Sequence, residues 1–279
     1  MRFRSGARLD PSQVSDRRGR GAVAVGGGGV IGLIVLVVSL LAGDGGGALL
    51  DAPLGGLDSD LSSECRTGDD ANQRDDCRIV GVVNSVQAFW EQRLDRYRPA
   101  PTVFFEGGVA TGCGSASSAV GPFYCPLDQR IYIDLGFYDA LRTRFGASGG
   151  PFAEAYVIAH EYGHHVEQLT GVLERSRDGS TGPQSSSVRV ELMADCLAGM
   201  WAGGAVSTGF IDELTEADIA DGLDAAAAIG DDRIQEQASG RVDPESWSHG
   251  SSEQRQRWFL AGYRSLDTAA CDTFAVPTV

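Results

Sequence analysis

The sequence predicts an α+β fold: a mainly helical domain with a small β-sheet, preceded by one transmembrane helix. Apolar residues recur at helical spacing in several segments that glycine, proline and serine separate. Two shorter segments are β-branched and aromatic, and an uncharged aliphatic stretch lies near the N-terminus. With 279 residues and 42% apolar content, the chain is long enough to bury a substantial core.

Charge and hydropathy divide the N-terminal part of the chain. Residues 1–21 are rich in arginine, whereas residues 22–42 carry no charge, and about 20 apolar residues suffice to cross a bilayer. We therefore expect a cytoplasmic tail (1–21), a transmembrane anchor (22–42), a linker (43–63) and a domain outside the cytoplasm (64–279). This predicts a single-pass protein of the cell membrane with a cytoplasmic N-terminus. A cleaved signal peptide is the alternative, although no clear cleavage site follows the stretch.

The net charge of −15 argues against one class of partner. Nucleic-acid binding requires clustered positive charge to neutralise phosphates, and the chain has no long basic run. We therefore expect no nucleic-acid partner.

All six cysteines follow the apolar stretch. An even number in an exported domain favours disulfides. No C-x-x-C spacing is present, so a cysteine-ligated zinc site is not expected. Six cysteines allow many connectivities; equal sequence separations suggest Cys65 with Cys77 and Cys113 with Cys125, which leaves Cys196 with Cys271.

Local signals delimit the predicted strands and helices. Residues 130–135 alternate between apolar and polar side chains, which predicts a half-buried strand; its edge is a candidate for pairing with an extended peptide, if it is not simply core. Pro151 and Gly171 bound the longest helix, and Ser251 with Gln254 forms a capping box before the last one. We predict strands over residues 102–105 and 130–135, and helices over residues 76–98, 151–170, 188–201 and 253–264 and from Thr215 onward.

The longest helix contains the motif His160-Glu161-Tyr162-Gly163-His164. Residues at i and i+4 share one helix face, so both imidazoles can bind one ion. Glu161 lies about 100° around the helix, where it can accept a proton from a metal-bound water. The motif predicts one catalytic Zn²⁺ ion, which needs three protein ligands and an open position. Three of the chain's four histidines lie in this segment, which argues against the alternative of ordinary core or surface histidines.

The next helix supplies a candidate for the third ligand. Glu191 and Asp195 share a face, so Glu191 can bind zinc while Asp195 accepts a hydrogen bond from a ligating histidine. A solvated acidic pair is the alternative, but the apolar residues around both indicate burial, and buried carboxylates need a partner such as a metal. His165 is the other candidate ligand, although it points about 100° away from His164.

His249 is the remaining histidine and precedes the last helix. A histidine near the zinc can stabilise the oxyanion that forms during hydrolysis, so His249 is the second candidate catalytic residue beside Glu161. The alternative is a loop or capping histidine.

Several segments resemble the bacterial neutral zinc metallopeptidase family. They are residues 121–126 (GPFYCP), 155–171 (AYVIAHEYGHHVEQLTG), 190–202 (VELMADCLAGMWA), 228–235 (AIGDDRIQ) and 249–263 (HGSSEQRQRWFLAGY), and the resemblance spans residues 64–274. It implies a zincin-like, gluzincin-type peptidase fold. It also implies that His160, His164 and Glu191 bind zinc and that Glu161 is the general base.

The sequence therefore predicts a membrane-anchored zinc peptidase. Its expected partners are a peptide or protein substrate and, through the N-terminal helix, the lipid bilayer. Two other functions stay open: a non-catalytic, zinc-stabilised envelope scaffold or binding module, and a hydrolase of amides other than peptides. Glu161 argues against the scaffold, because a purely structural zinc site has no use for a base.

Overall fold

The computed structural model describes residues 1–19 and 61–279, which form helices and short strands. The helices are α1 (Leu61–Glu64), α2 (Gly68–Gln73), α3 (Asp75–Glu91), α4 (Gly136–Thr143), α5 (Pro151–Thr170), α6 (Ser186–Gly204), α7 (Glu216–Ala228), α8 (Asp231–Ser239) and α9 (Ser252–Ser265). The strands are β1 (Arg2–Phe3), β2 (Val14–Asp16), β3 (Thr102–Phe105), β4 (Gly108–Thr111), β5 (Gly114–Ser117), β6 (Phe123–Cys125), β7 (Arg130–Asp134) and β8 (Ile211–Glu213).

The main sheet has four strands in the order β2-β3-β7-β6. β3 pairs in parallel with both β2 and β7, and β6 pairs antiparallel with β7. The predicted strands over residues 102–105 and 130–135 are therefore present. However, β7 lies between two other strands, so its edges are not available to a substrate. β6 is the outer strand on that side of the sheet.

Three long helices pack with their backbones in close contact. α9 crosses α6 where a Cβ atom on Gly262 would lie 1.8 Å from the carbonyl oxygen of Cys196, and one on Gly199 would lie 2.0 Å from that of Phe259. α5 packs on the same helix and has the predicted bounds, from Pro151 to Thr170. The capping box predicted from Ser251 and Gln254 begins α9.

The three predicted disulfides are all present: Cys65–Cys77, Cys113–Cys125 and Cys196–Cys271. The second connects the β4–β5 hairpin to the outer strand β6, and the third connects α6 to the C-terminal segment.

The N-terminal residues require a correction of the predicted fold class. Residues 1–21 were expected to form a tail that a membrane separates from the domain, yet β2 pairs with β3 and β1 with β8. A single crossing between β2 and β3 would place these paired strands on opposite sides of a bilayer. The fold class with a preceding transmembrane helix is therefore wrong. Within residues 1–19 and 61–279 no helix is long and apolar enough to cross a membrane, and the expected anchor (22–42) lies outside the described residues.

We expect Phe3→Ala to destabilise the whole domain by about 3 kcal/mol, because Phe3 is only 2% exposed and packs against Gly81 of α3. Thermal and denaturant unfolding of the full chain measure this change. Leu127→Ala, at a side chain that is 73% exposed, is the control and should change the free energy of unfolding little. An unchanged stability of Phe3→Ala would contradict the packing of the N-terminal residues in the core.

Candidate metal centre

α5 and α6 meet at a glycine inside the histidine motif. A Cβ atom on Gly163 would lie 2.9 Å from the Cα atom of Ala194, closer than side chains approach in folded proteins. Glycine at this position therefore allows the two helices to pack closely. The contact brings the motif face of α5 against the face of α6 that carries Glu191 and Asp195.

The structure brings the three predicted ligands together. Nitrogen atoms of His160 and His164 and a carboxylate oxygen of Glu191 all lie within 4.8 Å of one another. The Nε2 atom of His160 is 3.3 Å from Glu191 Oε2, and the Nε2 atom of His164 is 3.6 Å from Glu191 Oε1. All three side chains are buried. His165, the alternative ligand, lies elsewhere: its Nδ1 is 3.0 Å from the Tyr124 hydroxyl and its Nε2 is 2.7 Å from the Arg98 carbonyl oxygen.

Carboxylates hold the outer nitrogens of both histidines. His160 Nδ1 is 2.8 Å from Asp195 Oδ1, as the sequence predicted, and His164 Nδ1 is 2.8 Å from Glu167 Oε2. Each Nδ1 donates to its carboxylate, so each Nε2 is directed towards Glu191, where it can bind a cation. Sequence analysis missed Glu167, although its position three residues after His164 on the same helix places it within reach.

Asp195 is the centre of a buried polar network. It accepts hydrogen bonds from the Tyr156 hydroxyl at 2.5 Å and from Arg255 Nε at 3.0 Å, in addition to its contact with His160. Burial would raise the pKa of Asp195, but the charges of Arg255 and His160 hold it below its usual range. Asp195 therefore stays ionised and fixes the ring of His160.

Glu161 faces the same centre and is 2% exposed. Its Oε2 atom has no hydrogen-bond partner among the residues that the structure describes. Burial raises the pKa of Glu161. The positive charges of His164 and His160 and the nearby backbone amide of Tyr124 on β6 act to lower this pKa, but the effect of burial is larger. A buried carboxylate oxygen without a partner is costly, and Glu161 also lines a cavity beside the histidines, so this oxygen is available to a group bound in the cavity.

His249 lines the same cavity as Glu161, and its Nε2 atom is unpartnered among the described residues. Asp231 positions it: Asp231 Oδ1 is 3.2 Å from His249 Nδ1, and Asp231 Oδ2 accepts the backbone N–H groups of Ser248, His249 and Gly250 at 2.8, 2.7 and 3.0 Å. Burial would lower the pKa of His249, but Asp231 and Glu191 raise it. Asp231 was not among the predicted site residues, because only the fold brings it to His249.

The donor set fits zinc. Two imidazole nitrogens and one carboxylate are the donor set of catalytic zinc sites that keep one position open, and His160 and Glu191 also line the cavity. The pKa of His160 agrees with a cation site. Burial would lower this pKa, yet Asp195 and Glu191 raise it to about 10. Without a metal, the chain therefore binds a proton at the place where a cation fits. Burial would lower the pKa of His164 and raise that of Glu191. Their mutual attraction opposes burial in both cases, so the pKa of His164 is raised and that of Glu191 is lowered.

Two histidines one turn apart with a glutamate between them are the pattern of H-E-x-x-H zinc sites, and Glu191 of the next helix brings a third donor to the cluster. The family model described as "putative neutral zinc metallopeptidase" matches residues 2–274, and the chain belongs to this family. Membership implies zinc. The match begins within β1, in agreement with the packing of the N-terminal strands in the domain.

The chain is also similar to several uncharacterized bacterial proteins. One from Mycobacterium tuberculosis is 52% identical over 248 residues, which cover 85% of this chain and 84% of the relative, and one from Mycobacterium bovis matches equally well. The protein YpfJ of Escherichia coli is 38% identical over 288 residues, covering 96% of this chain and 97% of YpfJ. No solved structure matches the chain significantly.

We expect the zinc affinity to rise with pH across the neutral range. Because the pKa of His160 is about 10 without metal, its imidazole is protonated at neutral pH and must lose a proton to bind zinc. Each proton released makes the affinity rise about tenfold per pH unit while the pH is below this pKa. Competition with a chelator at several pH values measures the slope. An affinity that does not change with pH would contradict this assignment.

Proposed function

We propose that the chain is a zinc-dependent peptidase in which His160, His164 and Glu191 bind one zinc ion and Glu161 is the general base. The observation that supports this most directly is the unpartnered carboxylate oxygen of Glu161, buried beside the three-ligand cluster and facing a cavity. A base in this position has a use only if a reaction takes place there.

Zinc, when bound, lowers the pKa of water and polarises a carbonyl group. Glu161 Oε2 accepts the proton of the attacking water and passes it to the nitrogen of the leaving amine. The pKa of Glu161, raised by burial, favours both transfers, since the carboxylate must bind the proton before it releases it. His160 and His164 stay oriented throughout, because Asp195 and Glu167 hold their Nδ1 atoms.

His249 Nε2 donates a hydrogen bond to the carbonyl oxygen of the substrate as negative charge develops on that atom. Its position in the same cavity as Glu161 supports this role, and so does its raised pKa, which favours the protonated ring that can donate from Nε2. Asp231 holds the ring and is a positioning residue.

The outer strand β6 is our candidate for the strand that an extended substrate joins. It packs against α5, and the backbone of its residue Tyr124 lies close to Glu161. Pairing with a strand edge holds a peptide by main-chain hydrogen bonds that every peptide can form. A peptide is therefore a better fit than a small amide, and a structural zinc site would bind its ion with four protein ligands and leave Glu161 unused.

Glu161→Gln should retain zinc and lose peptide cleavage. Glutamine preserves the shape of the side chain but cannot accept the proton, and the loss of a general base lowers kcat by about 10² to 10⁴. Zinc content by elemental analysis and cleavage of a peptide library by the full chain measure the two properties. Glu154→Gln, a buried glutamate near the start of the same helix, is the matched control and should retain both. Cleavage by Glu161→Gln at the parent rate would remove Glu161 as the base.

Asp231→Asn should lower kcat roughly tenfold, because it loosens His249, the proposed donor to the oxyanion. It should not change the zinc affinity, because Asp231 contacts no proposed zinc ligand. The carboxylate raises the pKa of His249, so its neutralisation should lower that pKa. Activity that requires protonated His249 should then decline at a lower pH than in the parent. Asp232→Asn is the control, since Asp232 caps α9 through Ser252 and should leave the pH profile unchanged. Coincident pH profiles of Asp231→Asn and the parent would contradict this role.

A further inference from the structure

Residues 271–279 form a C-terminal segment that is attached to α6 on the face opposite Glu191. Cys271, at the start of the segment, is bound to Cys196 by a disulfide. The side chain of Arg189 is the second point of attachment. Arg189 and Cys196 lie about two helical turns apart, so they share one face of α6. Glu191 is about 200° around the helix from Arg189 and is therefore directed away from the segment.

Arg189 and the C-terminal segment hold each other by hydrogen bonds in both directions. Nη1 of Arg189 donates to the carbonyl oxygens of Thr273 and Val276, the latter at 2.9 Å. Its Nη2 atom donates to the carbonyl oxygen of Pro277 at 3.1 Å. In the other direction, the hydroxyl of Thr273 donates to the backbone carbonyl of Arg189 at 2.7 Å. Thr273 is fully buried, so water cannot replace a hydrogen bond that is lost there.

The far end of the segment is also held in place. The backbone N–H of Val279 donates to Oε1 of Gln184 at 2.8 Å, and Nε2 of Gln184 donates back to the backbone oxygen of Val279 at 3.2 Å. Gln254 of α9 donates to the same oxygen at 3.0 Å. Gln184 directly precedes Ser185, the N-cap residue of α6. The segment therefore joins the start of α6 to the loop before it and to α9.

Glu191 needs such support because it lies near the end of a helix. α6 begins at Ser186, so Glu191 is in its second turn. Helix ends open locally more readily than helix centres, and each opening would carry Glu191 away from His160 and His164. The affinity for a metal falls in proportion to the fraction of molecules in which the ligand is in place. Arg189 lies between the end of the helix and Glu191, where it can prevent this opening.

We infer that Arg189 and Thr273 are positioning residues for Glu191. They fasten the first two turns of α6 to the C-terminal segment and so hold this carboxylate beside the two histidines. The inference rests on the part of the proposed function in which Glu191 binds zinc, and not on the peptidase reaction. The competing explanation is that the segment adds only to the overall stability of the fold, and it predicts no specific change in zinc affinity.

Arg189→Ala removes three hydrogen bonds to the segment, so the first turns of α6 should open in a large fraction of the molecules. We expect the zinc affinity of the full-length protein, measured by competition with a chelator, to fall about tenfold. Arg189→Lys keeps a cation that can donate to the same carbonyl oxygens and should recover part of this affinity.

Phe3→Ala is the control for a general loss of stability, because Phe3 packs against Gly81 of α3. This variant should bind zinc as tightly as the parent while it is folded. An unchanged zinc affinity in Arg189→Ala, or an equal fall in Phe3→Ala, would overturn the inference.

Thr273→Val and Thr102→Val form a matched pair of smaller changes. Both threonines are 0% exposed, and valine deletes one side-chain hydrogen bond in each, to Arg189 and to Tyr162 respectively. In the full chain freed of metal, we expect Thr273→Val to accelerate amide hydrogen exchange of residues 190–193 about fivefold. Thr102→Val should leave the exchange of these amides unchanged. Equal exchange rates in the two variants would contradict the positioning role.

Zinc affinity and peptide cleavage together separate this inference from the peptidase proposal. If Arg189→Ala binds zinc more weakly than a parent that cleaves no peptide, the positioning role is supported and the peptidase proposal fails. If Arg189→Ala binds zinc as tightly as the parent, and Glu161→Gln alone loses cleavage, the peptidase proposal is supported and the positioning role is overturned.

Discussion

The close packing of α5 against α6 at Gly163 is the constraint on which the site depends. A side chain at Gly163 would collide with Ala194, and the separation of the helices that it forced would move Glu191 away from His160 and His164. The close approach of α9 to α6 at Gly262 positions Arg255 in a similar way, because Arg255 reaches Asp195 only where the two backbones touch. The glycines thus set the distances between the helices, and these distances determine where the polar side chains of the site lie.

This packing also creates an electrostatic problem inside the protein. Four carboxylates lie within the centre and are at most 2% exposed: Glu161, Glu167, Glu191 and Asp195. Arg255 is a buried cation that compensates Asp195, whereas Glu167 and Glu191 contact the histidines. Buried charges of one sign are unfavourable unless opposite charge is present, so a dication between His160, His164 and Glu191 would stabilise the fold as well as supply chemistry. Stability and function therefore favour the same ion.

The sequence predicted the parts of this structure that have local causes. The bounds of α5 follow from Pro151 and Gly171, and the histidine spacing follows from helical geometry, so both could be read without the fold. Asp231 could not, because no local pattern connects it to His249. β2 was missed for a similar reason: it has three residues, and its partner β3 lies far along the chain. The neighbouring apolar stretch suggested a membrane helix instead, since hydropathy alone carries no information about long-range pairing.

β2 links the N-terminal residues to the proposed chemistry through the sheet. Every residue of β3 is buried, and part of that burial comes from β2, which covers one edge of the sheet. Without β2 the backbone N–H and C=O groups along that edge of β3 would lose their partners, at a cost for each buried group. β3 aligns β7, β7 aligns β6, and β6 carries the backbone of Tyr124 to Glu161. A disturbance at Val14 would therefore reach β6, the strand beside the proposed base, through three consecutive strand pairings, although Val14 itself is far from the metal centre in sequence.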